Sequence, residues 1–324
     1  MNKQYKFKVG GMTEEELLFH SHLETSFTNN TILETECYGL GKHLKAFGFY
    51  PVKFPILLHT SHGPSQWDNV LPHMLNSKAD FFGFYSKRLQ KDWFNKTKKK
   101  AYLLKSPFVF YKETNNIKKS PTANGSIFFH AHSTFWTDFE TDFDLIFQQF
   151  QQLPKEFHPI SICMHFVDIQ KGRHKIYIEN GFSVYTAGNW KHPFFTENFY
   201  EIVKNYKYAL SNSAGSNIFY CINLGIPFSI IEGEPTIASN TDSNILQSGK
   251  KFSDHIQIQK NYTLFKGLNL TITDEQLELV NHELGIVEHT GRLKLSFVLY
   301  SALFIYMSRR FVAKLKSIFA AKFR

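Results

Sequence analysis

The sequence predicts an α/β protein with largely parallel sheets in two domains, followed by a basic amphipathic helical tail. Short apolar runs typical of buried strands alternate along the chain with runs at helical spacing, the order that parallel sheets require. The 324 residues equal about two ordinary domains in length. A polar, turn-rich stretch at 114–124 divides the chain, so we predict domains at 1–120 and 121–290 and a tail at 291–324.

The composition excludes several classes of protein. It is 43% hydrophobic and 20% charged, values that fit neither a disordered chain nor a polytopic membrane protein. Three widely spaced cysteines, Cys37, Cys163 and Cys221, form no CxxC pair, so neither a disulfide scaffold nor a structural zinc site is expected. The first ten residues lack the apolar segment of a secretory signal, and we expect a cytoplasmic protein.

The predicted first domain contains three strands and two helices. Gly48 can end a helix and Ser86 can begin one, because these residue types are favoured at the two helix termini. A loop is expected from Ser106, since the residue before a proline avoids the helical conformation. The elements, in order, are a helix at 38–48, strands at 55–59 and 80–85, a helix at 87–95 and a strand at 102–104.

The second domain is predicted to form a doubly wound sheet. Thr196 is expected as the N-cap of one of its helices. The elements, in order, are a strand at 126–129, a helix at 143–153, strands at 159–164 and 181–186, a helix at 196–206, a strand at 208–211, a helix at 216–224 and a strand at 226–231. Ligands of such sheets bind beyond the carboxyl ends of the strands, so the segments that follow strands are the candidates for function.

The segment 211–216, Ser-Asn-Ser-Ala-Gly-Ser, joins a predicted strand to a predicted helix. Unpaired N–H groups and the positive end of the helix would point into this turn, which suits a phosphate. The hydroxyls of Ser211, Ser213 and Ser216 add donors, and Gly215 allows a ligand to approach the backbone. An ordinary capped turn has the same spacing. The segment is neither a GxGxxG nor a Walker loop, which gives little support to a dinucleotide enzyme or an NTPase.

The segment 130–144 follows another predicted strand and contains two histidines and four acidic residues. A carboxylate and a histidine in an active-site loop can act as acid, base or nucleophile. The alternative is a surface loop with an acidic helix start. His130, His132, Asp138 and Asp142 could offer ligands to a metal, but histidines two residues apart with no distant partner are a weak signal, and we expect no metal.

Polar residues follow two further predicted strands. His62 comes after the strand at 55–59, where it is either a catalytic or orienting group or a polar turn residue. His165 and Asp168 come after the strand at 159–164. A cleft between two sheets would need such residues at the ends of several strands.

Nine short runs, spread over roughly residues 36–235, share one resemblance. They are Tyr38-Gly-x-Gly-Lys42, His62-Gly63, Ser106-Pro-Phe108, His132-Ser-Thr-x-x-x-Asp138, Asp168-Ile, Gly181-Phe, Thr186-Ala-Gly188, Ser211-Asn-x-x-Gly-Ser-x-x-Phe-Tyr220 and Leu224-Gly-Ile-Pro-Phe228. These runs resemble the GT-B glycosyltransferases of bacterial surface-polysaccharide clusters, in particular retaining Kdo-transferase-like enzymes that use CMP-sugars. Relatives often carry an acid before His-Gly and a histidine before Pro-Phe, where this chain has Ser61 and Ser106.

The resemblance implies a GT-B-like fold, in which two Rossmann-like domains face a cleft. It implies a metal-independent glycosyltransferase that moves Kdo or a related acidic sugar from a CMP-linked donor to a surface glycolipid or polysaccharide. No other cofactor is expected. Two alternatives remain open at this point: a transferase that builds glycerol- or ribitol-phosphate polymers, with a histidine-centred base, and a non-catalytic scaffold at a membrane surface.

The resemblance also implies which residues form the site. Asp138 is the first choice for the nucleophile or ion-pair partner at the anomeric carbon, with Asp142 and Glu140 in reserve. His132 would orient the donor and His62 would serve the acceptor hydroxyl. The expected donor-binding residues are Ser133, Thr134, Ser211, Ser213, Gly215, Ser216, Ser106, Pro107 and His165.

The net charge of +9 is concentrated at the C-terminus. Residues 292–324 carry eight cations and no acid, which favours an anionic surface over nucleic acid as the partner. Apolar residues at helical spacing separate the cations of 309–324, so this part is predicted to lie on the inner face of the cell membrane as an amphipathic helix. The apolar run 295–307 is shorter than the ~20 residues of a spanning helix, and part of it could pack as a core helix.

Overall fold

The computed structural model describes residues 4–27, 32–65, 67, 69–241, 249–251, 253 and 262–322. It confirms an α/β chain with parallel sheets and a long C-terminal helix. The strands are β1 (Leu58–Thr60), β2 (Phe81–Phe84), β3 (Tyr102–Leu103), β4 (Ser126–Phe129), β5 (Thr137–Glu140), β6 (Ile160–Cys163), β7 (Ser183–Tyr185), β8 (Tyr208–Ser211), β9 (Phe228–Ile230) and β10 (Thr236–Asn240). The helices include Glu14–His22, Leu33–Glu36, Leu40–Phe47, Pro72–Leu75, Lys87–Thr97, Pro107–Thr114, Phe143–Gln152, Phe166–Gln170, His174–Glu179, Phe195–Val203, Asn217–Asn223, Asp274–Glu283 and Arg292–Lys322.

The larger sheet has five parallel strands in the order β7-β6-β4-β8-β9. The chain starts in the centre at β4, moves outward through β6 and β7, and then returns to the other side of β4 to form β8 and β9. This is a doubly wound topology, and its switch point lies between β4 and β8. Phe129 at the end of β4 is in register with Cys163 of β6 and with Ser211 of β8, so three strands end at the same level.

The strands of this sheet are apolar because helices cover both of its faces. Ile127, Phe128, Ile162 and Leu210 are buried without residual exposure. The helix Phe143–Gln152 contributes Phe150, whose ring meets that of Phe128 edge to face at 4.9 Å. Such burial contributes roughly 1.5–3 kcal/mol for each large apolar side chain.

The smaller sheet of the two that are parallel contains β1, β2 and β3. Segments that leave this sheet contact the rest of the chain: the amide of Ser106, after β3, donates to the carbonyl of Leu284, and the carbonyl of Pro64, after β1, accepts from the Ser216 hydroxyl. The N-terminal segment packs against the larger sheet, since the amide of Met12 donates to the carbonyl of Val184. The predicted domain boundaries stay a prediction.

Three local expectations from the sequence are wrong. No loop starts at Ser106: a helix begins at Pro107, because proline is well suited to the first helical position, where no N–H partner is needed. Thr196 is not an N-cap, since it lies inside a helix and its hydroxyl donates to the carbonyl of Tyr38. The segment 130–144 is not all loop, because it contains β5, which pairs antiparallel with β10.

The C-terminal helix Arg292–Lys322 is continuous, and apolar residues of its first half pack on the smaller sheet. Leu295, Val298 and Leu299 are almost fully buried in a core that also contains Leu58 of β1. Within the described chain, the stretch Arg292–Phe319 is the one helix long and apolar enough to cross a membrane by length and composition, with a mean hydropathy of 1.2.

Candidate active site

The switch point of the larger sheet brings the two main candidate segments together. The Ser211 hydroxyl at the end of β8 donates to the carbonyl of Phe129 at the end of β4, at 2.7 Å. Just beyond the two strand ends, the amide of Ala131 donates to the side-chain oxygen of Asn212 at 2.8 Å. The turn 211–216 and the segment that starts at His130 therefore leave the sheet side by side, at the edge where doubly wound sheets bind ligands.

The turn 211–216 is also in contact with the loop that follows β1. The Ser216 hydroxyl lies 3.2 Å from the carbonyl of Pro64. A Cβ on Gly63 would come within 3.2 Å of that hydroxyl and 3.3 Å of the Tyr220 hydroxyl, so a side chain at this position would require these groups to move slightly. Ser216 precedes the helix Asn217–Asn223 without capping it through its side chain. The turn thus differs from an ordinary side-chain-capped turn.

Two sequence-predicted histidines stack at this edge. The rings of His132 and His165 are 4.1 Å apart and nearly parallel. His132 is exposed, whereas both ring nitrogens of His165 are buried. Burial, assisted by His132, holds the pKa of His165 well below its usual value, so His165 is neutral at physiological pH.

Asp138 lies on β5, where several donors hold its carboxylate. Its Oδ1 accepts from the Ser133 hydroxyl at 2.7 Å and from Arg173 at 2.7 Å, and lies 2.9 Å from the Lys171 ammonium. Partial burial opposes its ionisation, but Lys171, Ser133 and Arg173 outweigh this effect and keep the pKa of Asp138 below its usual range. The carboxylate is therefore ionised at any physiological pH.

Arg173 joins Asp138 to Asp168. Its second terminal nitrogen donates to Asp168 at 2.7 Å, and the other Asp168 oxygen accepts the amide of Ser133. Burial raises the pKa of Asp168, while the interactions of its carboxylate with His132 and Arg173 act in the opposite direction. Sequence spacing did not single out Arg173 or Lys171, because nothing in a local pattern links 138 to 171–173.

The predicted donor-binding hydroxyls of the segment 130–144 are used within the protein. Ser133 is buried between Asp138 and Arg173, and its hydroxyl accepts from the guanidinium while it donates to the carboxylate. The Thr134 hydroxyl accepts the amides of Trp136 and Thr137 and closes a tight turn into β5. In this arrangement both hydroxyls order the loop, and Trp136 stands exposed at its tip.

Ser106 and Pro107 lie next to a residue that packs on the helix after the turn 211–216. The next residue, Phe108, stacks on Tyr220 of the helix that follows the turn, with ring centroids 3.9 Å apart and an interplanar angle of 11°. Ser106 and Pro107 are themselves buried. This run therefore supports the helix that begins at Asn217.

Three other residues of the segment 130–144 have local roles. Asp142 is the N-cap of the helix Phe143–Gln152 and accepts the amide of Leu145. Glu140 is exposed on β5. His130 is buried against Phe143 and Tyr177, and burial lowers its pKa to about 3. Among the residues that the structure describes, no group of three or more histidines, cysteines and acids could hold a metal ion.

A carboxylate that the sequence analysis missed lies near His62. Glu34 accepts from Nε2 of the buried His59 at 3.1 Å and from Nε2 of His73 at 2.8 Å. Its burial opposes ionisation, but these two histidines together with His62 lower the pKa of Glu34 to about 2. Desolvation lowers the pKa of His62, and the charge of Glu34 partly offsets this effect. No local pattern indicated this carboxylate, because Glu34 precedes β1 by more than twenty residues.

Comparisons with known proteins identify neither a family nor a ligand for this chain. No family model matches the chain, and no curated protein matches it. Among solved structures, the chain is similar to the S. aureus MnaA-UDP co-structure, with 11% identity over 88% of this chain and 82% of that chain and a TM-score of 0.38. A similarity at that level carries no conclusion about this chain's ligand.

Proposed function

We propose that the protein is a GT-B-like, metal-independent glycosyltransferase that uses a nucleotide sugar. The donor would be CMP-linked and its sugar Kdo or a related acidic sugar, and the acceptor would be a surface glycolipid or polysaccharide. One observation supports this proposal most strongly. The turn 211–216, the stacked pair His132–His165 and the loop of His62 all lie at or beside the switch point between β4 and β8.

The phosphate of the donor would bind at the turn 211–216. The amides that open the helix Asn217–Asn223 carry the positive end of the helix dipole, and no metal is then needed to neutralise the phosphate charge. The Ser216 hydroxyl does not cap the helix, so it can turn from the carbonyl of Pro64 to a phosphate oxygen. Because Pro64 follows His62 closely, the same contact would bring the acceptor side of the site next to the donor.

Asp138 would stabilise the positive charge that develops at the anomeric carbon, with retention as the outcome. A carboxylate that stays ionised is suited to an oxocarbenium-like transition state. Arg173 and Lys171 fix its position, because both contact Oδ1. His132, which stacks on His165, would orient the donor.

His62 would accept the proton of the acceptor hydroxyl, with Glu34 as its charge partner. The family pattern has an acid directly before His-Gly, where this chain has Ser61. Glu34 supplies a carboxylate from another part of the chain, and it is held in place by His59 and His73. A neighbouring negative charge makes an imidazole a stronger base.

Replacing Glu34 with glutamine is expected to lower the pKa of His62, because the imidazolium loses the charge that stabilises it. The acid limb of the pH–rate profile of transfer should move to lower pH by the same amount. The measurement is an NMR titration of the histidine rings. The His62 resonance is assigned as the one that is missing from the spectrum of His62→Asn. Glu36→Gln is the control, since Glu36 pairs with Lys45 instead. An unmoved His62 titration in Glu34→Gln would exclude this role.

The thermal shift of the full chain with a panel of nucleotides tests the proposed function. Selective stabilisation by CMP is expected, since a ligand at one hundred times its Kd stabilises a protein by ~2.7 kcal/mol. Stabilisation by UDP or GDP alone would support another glycosyl donor, and stabilisation by CDP would support the polymer transferase. No stabilisation by any nucleotide would favour the non-catalytic scaffold and contradict the proposal.

A further inference from the structure

The C-terminal helix Arg292–Lys322 carries an exposed apolar stripe along its length. Successive residues of the stripe are alternately four and three positions apart in the sequence, which keeps them on one face of an α-helix. Each is at least 42% exposed. The stripe consists of Leu293, Phe297, Tyr300, Phe304, Met307 and Phe311.

The opposite face of the helix is fixed to the body of the protein. Leu295, Val298 and Leu299 are buried in the core of the smaller sheet, and they lie about half a turn around the helix from the stripe. Arg309 also points to the body, where its guanidinium makes two hydrogen bonds to the carboxylate of Asp80, at 2.6 and 2.9 Å. The stripe therefore faces away from the body.

The apolar surface continues from the stripe onto the body. The Tyr300 hydroxyl donates to the carbonyl of Phe49 at 3.1 Å, and the guanidinium of Arg292 lies 3.6 Å above the Phe49 ring. Phe49 and nearby Val52 are both more than half exposed. Exposed apolar patches of this extent mark interaction sites in soluble proteins.

The charges beside the stripe indicate what covers it. Arg292, Arg310 and Lys314 lie on one flank of the stripe, and Lys294 lies on the other. No acid occurs from 292 to the end of the chain, so a second copy of the helix would meet like charges along the whole seam. An anionic lipid surface complements both the stripe and its flanks.

A spanning orientation is disfavoured by the same contacts. To cross a bilayer, the helix would have to withdraw Leu295, Val298 and Leu299 from the core of the smaller sheet. It would also carry Arg309 and Arg310 into the bilayer, at ~2.5–3.5 kcal/mol for each cation near its centre. An interfacial helix keeps the core contacts and leaves the cations at the headgroups.

We propose that the stripe from Leu293 to Phe311, together with Phe49, lies in the headgroup–acyl boundary of an anionic bilayer. The helix axis is parallel to the membrane plane, and the body is docked on the membrane rather than tethered to it by residues 309–324. The proposal rests on the proposed function, in which a glycolipid acceptor would be held in a membrane. It extends the lipid contact to the part of the helix that packs on the smaller sheet.

Sedimentation of the full chain with vesicles at low salt tests this docking. The wild type is expected to bind vesicles of phosphatidylcholine with phosphatidylglycerol, and to bind phosphatidylcholine alone weakly. The double variant Phe297→Ser/Phe304→Ser is expected to bind the anionic vesicles at least ~10-fold more weakly, because two aromatic side chains no longer enter the boundary. Phe94→Ser, an exposed aromatic on the helix Lys87–Thr97, is the matched control and should bind as the wild type does.

The outcomes separate this inference from the proposed function. Unchanged vesicle binding in the double variant would overturn the docking, because the contact would then lie outside the stripe. A second result would also overturn the docking: the wild type is a dimer, and the double variant is a monomer that binds vesicles as the wild type does. The thermal shift with CMP should be the same in the double variant and the wild type, since Phe297 and Phe304 are exposed on the C-terminal helix and neither belongs to the turn 211–216.

Discussion

Sugar transfer is expected to fall by about 10²- to 10³-fold or more when Asp138 is replaced with asparagine, because the substitution removes the negative charge that faces the developing positive charge. Asparagine keeps the size of the side chain and still accepts from Ser133. The ion pairs with Lys171 and Arg173 are partly exposed, so their loss should cost no more than about 1 kcal/mol of stability. Nucleotide affinity should be nearly unchanged.

The measurements for this variant are the rate of transfer at saturating donor, the nucleotide Kd and the Tm. Asp142→Asn is the matched control in the same segment. Asn serves as an N-cap as well as Asp does, so the control should keep both stability and turnover. Near-normal turnover in Asp138→Asn would remove this residue from the mechanism and move attention to Asp168, which shares Arg173 with it.

Nucleotide affinity is expected to fall by at least ~10-fold when Gly215 is replaced with valine, because a branched side chain would occupy the approach to the backbone of the turn. A Cβ at Gly215 would lie 2.6 Å from the side-chain oxygen of Asn217. That oxygen is the end of a flexible side chain, so the variant should still fold. Ser216→Ala should weaken nucleotide binding by ~1.5–3 kcal/mol if its hydroxyl donates to a charged oxygen.

Isothermal titration of the two variants with the preferred nucleotide checks this prediction. Gly291→Val is the control for added volume, since a Cβ there would meet nothing within 4 Å. Its nucleotide affinity should equal that of the wild type. Unchanged affinity in both Gly215→Val and Ser216→Ala would mean that the turn has only a structural role.

The sequence predicted the larger sheet well, because its strands are short apolar runs bounded by polar and turn-forming residues. The strand 208–211 was predicted at its observed bounds, and the helix after the turn 211–216 was predicted within one residue. Apolar residues at helical spacing predicted the helix that begins at Phe143. Local pattern is sufficient for such elements, since burial on both faces of a parallel sheet imposes continuous apolar runs.

The parts that the sequence did not predict depend on contacts between distant residues. β5 was missed because its polar residues face an antiparallel partner, β10, about one hundred residues away. Arg173 and Glu34 reach Asp138 and His59 only through the tertiary fold. The exposed stripe opposite the buried face of the C-terminal helix was also not visible, because an apolar run does not show which side is covered.

The central claim is that a nucleotide phosphate binds at the switch point between β4 and β8. Backbone amide chemical shifts of the full-length protein during titration with CMP test it most directly. We predict saturable changes that are largest at residues 213–218, with smaller changes at His62 and Gly63. Changes confined to other parts of the chain, or no change with CMP, UDP, GDP or CDP, would contradict the claim.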